Sequence, residues 1–194
     1  MPRVLVPLAP GCEELEAVTV IDLLRRAQIE VVTAGLAAGS VTGSRGTVLL
    51  PDATLDEALQ RDYDMVVLPG GQPGANNLEK DARILALLQR MAGAGKYTAA
   101  ICAAPKVLAA AGLLEGKHAT SYPGALDPAA WPGIRLENRA VVRDGTVLTS
   151  RGPGTAMDFA LALIEILIGR ERRDDVEQAL MRPPQHLNAS SDAG

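Results

Sequence analysis

Cys102 closes the apolar run Ala99-Ala100-Ile101 and is followed by Ala103-Ala104-Pro105, after which the chain becomes rich in Ala and Leu. A thiol at such a junction has two readings. It is a small buried hydrophobe, or it is a nucleophile displayed on a sharp strand-to-helix turn. In the second reading Ala103 and Ala104 leave room at the turn, and Pro105 occupies the first helical turn, where no donor is lost. The helix N-terminus would then lower the thiol pKa. A second group follows the first apolar run: Glu13, Glu14 and Glu16. Glu13 and Glu14 read as ordinary first-turn helix acids. Glu16 sits beside the apolar Ala17 and Val18 and is spaced to turn inward. Burial would raise its pKa and poise it as a general acid or base toward a thiol or a substrate proton. A third feature, Gly70-Gly71, ends another apolar run. It is either a plain turn or an oxyanion site in which backbone N–H groups approach a bound oxygen. The surrounding "PGGQPGA" lacks the Lys-Ser/Thr of a phosphate loop.

The remaining chemistry-bearing residues are less pointed. Neither histidine, His118 nor His186, stands in an obvious triad position. His118 reads as a surface or packing residue and His186 as part of a solvated tail. Cys12 reads as packing, with proximity to Cys102 left open. The two cysteines have no zinc-type spacing, so no metal is expected. A net charge of −4 and a pI of about 5.2, without a basic patch, argue against nucleic acid as a partner. The N-terminal apolar run is short and leads into acid, unlike a signal peptide. No segment approaches the ~18 apolar residues of a membrane span. A cytoplasmic protein with reduced thiols is expected.

These residues need elements to bring them together. At 194 residues the chain suits one domain of the usual ~100–200 residues; residues 1–185 are assigned to it and 186–194 to a flexible tail. With 3% aromatic residues the core must be built from Ala, Val, Leu and Ile. Continuous apolar runs at 3–9, 29–36, 62–71 and 97–102 read as buried strands. Helical spacing is read at 13–27, 81–95, 105–114, 154–169 and 172–181. Residues 39–52 read as a hairpin or edge excursion, 118–123 as a short strand, and 139–150 as a hairpin about Asp144-Gly145. The alternation predicts an α/β fold, a mainly parallel sheet with helices on both faces. In such sheets functional groups gather beyond the carboxyl ends of the strands. Glu16, Gly70-Gly71 and Cys102 all follow strand ends and would share one rim if their strands are neighbours.

The segments "GCEELEAV" (11–18), "LLRRAQIEVVTAGL" (23–36), "YDMVVLPGGQPGANNL" (63–78), "AAICAAPKVLAAAGLL" (99–114) and "LTSRGPGTAMDFALALIE" (148–165) together resemble the ThiJ/PfpI superfamily. Within it they are most similar to the Parkinson-associated deglycase subfamily and its bacterial YajL-like chaperone relatives. The resemblance implies a flavodoxin-like three-layer sandwich with a Cys nucleophile elbow, and a homodimer. It maps the reactive thiol to Cys102, its acidic partner to Glu16, and the oxyanion-type donors to the N–H groups of Gly71 and Ala103. Arg151 and Pro153 fall in the segment that closes the pocket. The chain departs from the pattern at two places. Tyr122 stands where the best-known deglycase has a histidine, and Ala103 where the protease-like branch has one. Peptidase activity is therefore not expected, and since a phenol is a weak base at neutral pH, proton transfer would rest on Glu16. The implied activity needs no cofactor: conversion of dicarbonyls such as methylglyoxal to hydroxy acids through a Cys102 hemithioacetal, extending to glycated proteins or nucleotides. The alternative is a redox-sensing stress-response chaperone whose Cys102 is oxidised to the sulfinate.

Overall fold

The computed structural model describes residues 1–182; the expected tail, 186–194, with His186, lies outside the described residues, as do the last three residues of the 1–185 assignment. In chain order the elements are β1 (Arg3–Leu8), α1 (Glu14–Arg26), β2 (Glu30–Gly35), β3 (Val41–Thr42), β4 (Val48–Leu49), β5 (Ala53–Thr54), α2 (Leu55–Ala58), β6 (Met65–Leu68), α3 (Gln72–Lys80), α4 (Ala82–Gly93), β7 (Tyr97–Ile101), α5 (Pro105–Ala110), β8 (His118–Ala119), β9 (Arg135–Leu136), β10 (Val141–Asp144), β11 (Val147–Ser150), α6 (Ala156–Ile168) and α7 (Arg170–Ala179). A 3₁₀ turn, Pro153–Thr155, leads into α6.

Seven strands form one sheet in the order β10-β11-β7-β6-β1-β2-β5. Every neighbouring pair is parallel except β10 with β11, the hairpin about Asp144-Gly145. The connection β1–α1–β2 moves one way along the sheet and β6–α3–α4–β7 moves the other. Right-handed crossovers in opposite directions put their helices on opposite faces. Accordingly α1 packs with α6, and α6 with α7, while α3, α4 and α5 pack together. The central strands are therefore buried on both sides, and Val4, Leu5, Val6 and all of β6 are inaccessible to solvent. This is why they read as unbroken apolar runs rather than alternating ones. The molecule is an α/β sandwich of the flavodoxin type.

The crossovers diverge between β1 and β6, so the crevice beyond their carboxyl ends is the switch point of the sheet. The loops carrying Glu13–Glu16 and Gly70-Gly71 lie there, with Cys102 one strand further on.

Four elements were not read from the sequence, among them the edge strand β5. The stretch "QPGANNLEK" looks like a loop, yet it is α3: Gly71 caps it, Pro73 lies in its first turn, and Ala75 and Leu78 are buried. Its glycine is a packing residue, since a Cβ at Gly74 would lie 2.6 Å from the Cys12 backbone. The short α2 is set by a Thr54–Glu57 capping box. The strand β9 pairs in parallel with β8, outside the main sheet.

Candidate active site

Cys102 is one of three described non-glycine residues with a positive φ, at 64°. A left-handed conformation costs an L-residue about 1–2 kcal/mol, so the surroundings must hold it. They do so from both sides: the Cys102 N–H donates to the Ser150 carbonyl on β11 at 2.9 Å, and its carbonyl accepts from the Tyr122 N–H at 2.8 Å. This is the strand-to-helix elbow expected from the sequence. It turns the side chain out of the sheet, and Cys102 keeps 8% of its surface exposed.

Glu16 has no exposed surface. The Gly70 N–H donates to its Oε2 at 2.8 Å, while Oε1 has no hydrogen-bond partner of good geometry among the described residues. Gly70 is where the two groups meet: a Cβ built there would lie 2.6 Å from the Cys102 Cβ and 2.7 Å from Glu16 Oε2. No side chain larger than hydrogen fits between the thiol and the carboxyl.

Burial pushes the Glu16 carboxyl up to about 7, against the Gly70 N–H and the Cys102 thiol, which favour the charged form. Burial also pushes Cys102 up, and the neighbouring Glu16 carboxylate adds to it, to about 12. The N–H groups of Gly71 and Ala103 pull the thiol in the other direction. The net lowering expected from the helix N-terminus is therefore not found, because burial and the carboxylate prevail. The helix in question, α5, has six residues, whereas the carboxyl is in direct contact. The physical unit is a pair competing for one proton. With that proton on Glu16 the repulsion is gone, its O–H becomes a donor, and a thiolate would face three donors.

A cavity of about 410 Å³ opens above the pair. Cys102, Ala103, Gly71, Tyr122 and Pro153 all line it, which brings together five of the residues expected from the sequence. Glu16 and Gly70 lie beneath it. Arg151 does not line it; it is half-buried and its N–H donates to the Ala140 carbonyl at 3.2 Å. The 150–155 segment is held by the Thr155 hydroxyl, which is hydrogen-bonded to the Ser150 hydroxyl and accepts from the Gly152 N–H. Tyr122 is 53% exposed and its ring edge approaches Gly152. His118 is far from a triad: its Nδ1 pairs with Glu137 at 2.6 Å. Cys12 is fully buried and free, its thiol pushed up to about 11 chiefly by burial. Among the described residues no cluster of His, Cys, Asp and Glu is arranged to hold a metal ion.

The sequence reading missed one wall of the cavity, Glu13, Ser44 and Arg45, and misjudged Glu14. Glu14 is not a solvated first-turn acid. It is nearly buried and accepts from the Arg45 N–H at 2.8 Å, the Thr47 N–H at 3.1 Å and the Ser44 hydroxyl at 3.1 Å. Burial opposes its charge, but hydrogen bonds from its own backbone, Thr47, Arg45 and Ser44 prevail and lower it to about 2. No spacing rule relates an acid at 14 to a turn at 43–47. Glu14→Gln is expected to cost about 2 kcal/mol of stability at pH 7, the weight of a charged hydrogen-bond acceptor. A lowered folded pKa contributes above the unfolded value and is lost as pH falls through about 2. The stabilities of the two proteins in urea melts should therefore approach each other as pH falls from about 4.5 and meet near pH 2.

The comparisons with known proteins agree with this fold. Protein dj-1beta of Drosophila melanogaster is 43% identical over 178 residues, 91% of this chain and 95% of that protein. Its crystal structure superposes with a TM-score of 0.90 at 42% identity, covering 94% of this chain and 99% of that one. The glutathione-independent glyoxalase DJR-1.2 of Caenorhabditis elegans is 33% identical over 91% of this chain and 94% of its own length. The oxidized DJ-1 of Toxoplasma gondii superposes with a TM-score of 0.88 at 36% identity, over 95% of this chain and all of that one. Residues 2–166 match the DJ-1/PfpI family, and the chain belongs to that family.

Proposed function

We propose that the protein is a glutathione-independent glyoxalase acting on small 2-oxoaldehydes such as methylglyoxal. The observation that carries this reading is a juxtaposition: the fully buried Glu16 carboxyl meets the thiol across Gly70, on a strained elbow beneath an open cavity. Glu16 takes the thiol proton, and the Cys102 sulfur bonds to the aldehyde carbon. In this reading the carbonyl oxygen becomes an alkoxide that accepts from the N–H groups of Gly71 and Ala103. Glu16 returns the thiol proton to the alkoxide, giving the hemithioacetal, and the freed carboxylate then moves a proton from the aldehyde carbon to the neighbouring ketone carbon through an enediol. Water cleaves the resulting thioester and frees the thiol. One methylglyoxal and one water give one lactate; the aldehyde carbon is oxidised and the ketone carbon reduced, so no cofactor enters. The cavity size favours small dicarbonyls over adducts on glycated proteins. Two free thiols fit a reducing, cytoplasmic setting.

The test is lactate formation from methylglyoxal by freshly reduced protein without glutathione or metal, beside Cys102→Ser. Lactate that requires Cys102 supports the reading; none above the variant overturns it for this substrate. The second reading, a stress-response chaperone sensing oxidants through a Cys102 sulfinate, draws support from the same N–H donors and from the oxidized relative. It predicts a peroxide-dependent mass gain confined to Cys102.

A homodimer is part of the proposal. Leu15 and Val18 on α1 and Val48 and Leu50 at the β3–β4 hairpin are exposed, and Val18 and Leu50 line one hollow with Ile21 and Leu49. Such a patch marks an interface. Sedimentation is expected to show a dimer, and a Val18→Asp/Leu50→Asp double variant a monomer.

A further inference from the structure

Arg45 is an exposed cation on the wall of the thiol cavity. Its main chain is held from several directions. The Gly43 N–H donates to Thr47 at 2.8 Å across the turn, and the Ser44 N–H donates to the Cys12 carbonyl at 2.7 Å. The Arg45 and Thr47 N–H groups both donate to Glu14. The guanidinium itself has no acid within 4 Å and no hydrogen-bond partner among the described residues. By contrast Arg25, Arg83, Arg173 and Arg182 are each engaged with carboxylates. A buried carboxylate thus fixes the turn, while the side chain of Arg45, a residue of the cavity wall, takes no part in that network. The other charge on the wall, Glu13, is occupied: its Oε2 accepts the Glu16 N–H at 2.8 Å and caps α1. The wall thus carries one cation with no partner among the described residues, Arg45, and one carboxylate, Glu13, held at the start of α1.

We infer that Arg45 is a specificity residue for an anionic tail, so that the site takes 2-oxoaldehydes bearing a carboxylate beyond the reacting carbons. The inference rests on the glyoxalase reading for the reaction but not for the recognition. A guanidinium suits this task because it binds a carboxylate through two parallel N–H groups and never loses its charge. The thiol would attack the aldehyde carbon of such a substrate while the tail lies toward the 43–47 turn. For 4,5-dioxopentanoate the reaction adds one water and gives 2-hydroxyglutarate, with oxidation and reduction internal to the substrate as for methylglyoxal.

Two measurements separate recognition from turnover. The first is the rate of Cys102 alkylation by iodoacetate relative to iodoacetamide, followed by peptide mass. Both reagents present the same carbon to the same sulfur and differ in charge, so the ratio cancels the reactivity of the thiol. Arg45→Gln is expected to lower this ratio about tenfold, Arg45→Lys to restore part of it, and Glu13→Gln to raise it. A ratio that moves less than twofold in Arg45→Gln overturns the inference whether or not the protein is a glyoxalase. The second is kcat/KM for 4,5-dioxopentanoate over that for methylglyoxal, which is expected to fall by a similar factor in Arg45→Gln. If the alkylation ratio falls while this one stays constant, the substrate class is overturned. If neither compound is turned over, the glyoxalase reading fails, and with it the substrate class, while the alkylation ratio still decides whether Arg45 receives an anion.

Discussion

Glu16→Gln is expected to yield a protein that is more stable than the parent at pH 8 and nearly inactive. Glutamine is the neutral counterpart of the protonated acid. Its amide oxygen can keep the Gly70 N–H, and its NH₂ can stand where Oε1 has no partner in the parent. What it lacks is a removable proton. Losing a general acid–base group costs about 10²–10⁴-fold in rate, and here the same group also takes the thiol proton. The expected kcat loss for methylglyoxal is therefore toward the upper end of that range. The stability change has the opposite sign. Glu16 has its folded pKa raised from 4.5 to about 7. Below the unfolded value both states hold the proton and nothing is lost. As pH rises through 4.5 the unfolded chain releases it first, so stability falls until the folded pKa is passed. Across that window the loss amounts to about 3 kcal/mol. Removing the titration should recover up to that amount at pH 8 and nothing below pH 4.5. Urea melts across this range, with lactate assays on the same samples, check both halves. Equal stability of the two proteins at pH 8 would mean that Glu16 does not titrate as a buried acid.

Gly70→Ala is expected to have the second large effect, on fold and activity together. A methyl there would lie 2.6 Å from the Cys102 Cβ, 2.7 Å from Glu16 Oε2 and 2.9 Å from the Ile101 carbonyl. The obstacles are a β-carbon, a buried carboxylate and main chain, none of which is the free end of a flexible side chain. Overpacking of this kind costs about 1–3 kcal/mol, and more where backbone must shift. Any relief widens the gap between thiol and carboxyl, and a misplacement of ~1 Å can cost ~10²-fold in rate. Gly46→Ala is the control. It lies on the 43–47 turn at φ 93° with nothing within 4 Å of the added carbon, so only the conformational cost of about 1 kcal/mol applies. Chemical denaturation of the three proteins should rank Gly70→Ala well below Gly46→Ala, and Gly46→Ala just below the parent. If Gly70→Ala keeps full activity, the three-way contact at Gly70 is not what holds the pair.

Much of this site was legible before the fold was known, for definite reasons. An apolar run buried on both faces is unmistakable when it is bounded by Gly or Pro, so β1, β2, β6 and β7 could be read directly. Strand alternation with helices forces a parallel sheet, and a parallel sheet collects its loops at one rim. Cys102, Gly71 and Glu16 were therefore brought together by topology alone. The absence of α3 from the elements read in the sequence shows the converse: Pro73 and Gly74 are helix breakers by propensity, but a glycine was needed against the Cys12 backbone, and packing overrode propensity.

The amino-acid order by itself determined the α/β class, the rim and the elbow, because these depend on local periodicity and on the handedness of crossovers. Tertiary structure alone decided the charge states and the cavity wall. Glu14 and Glu16 are two residues apart on one helix and both are shielded from water, yet one is lowered to about 2 and the other raised to about 7. The difference is made by the donors that reach them from distant segments: a whole turn of N–H and O–H groups for Glu14, a single N–H from Gly70 for Glu16. The electrostatic energy of a buried carboxyl depends on which dipoles end up around it, and chain separations of 30 and 54 residues carry no local signal of that.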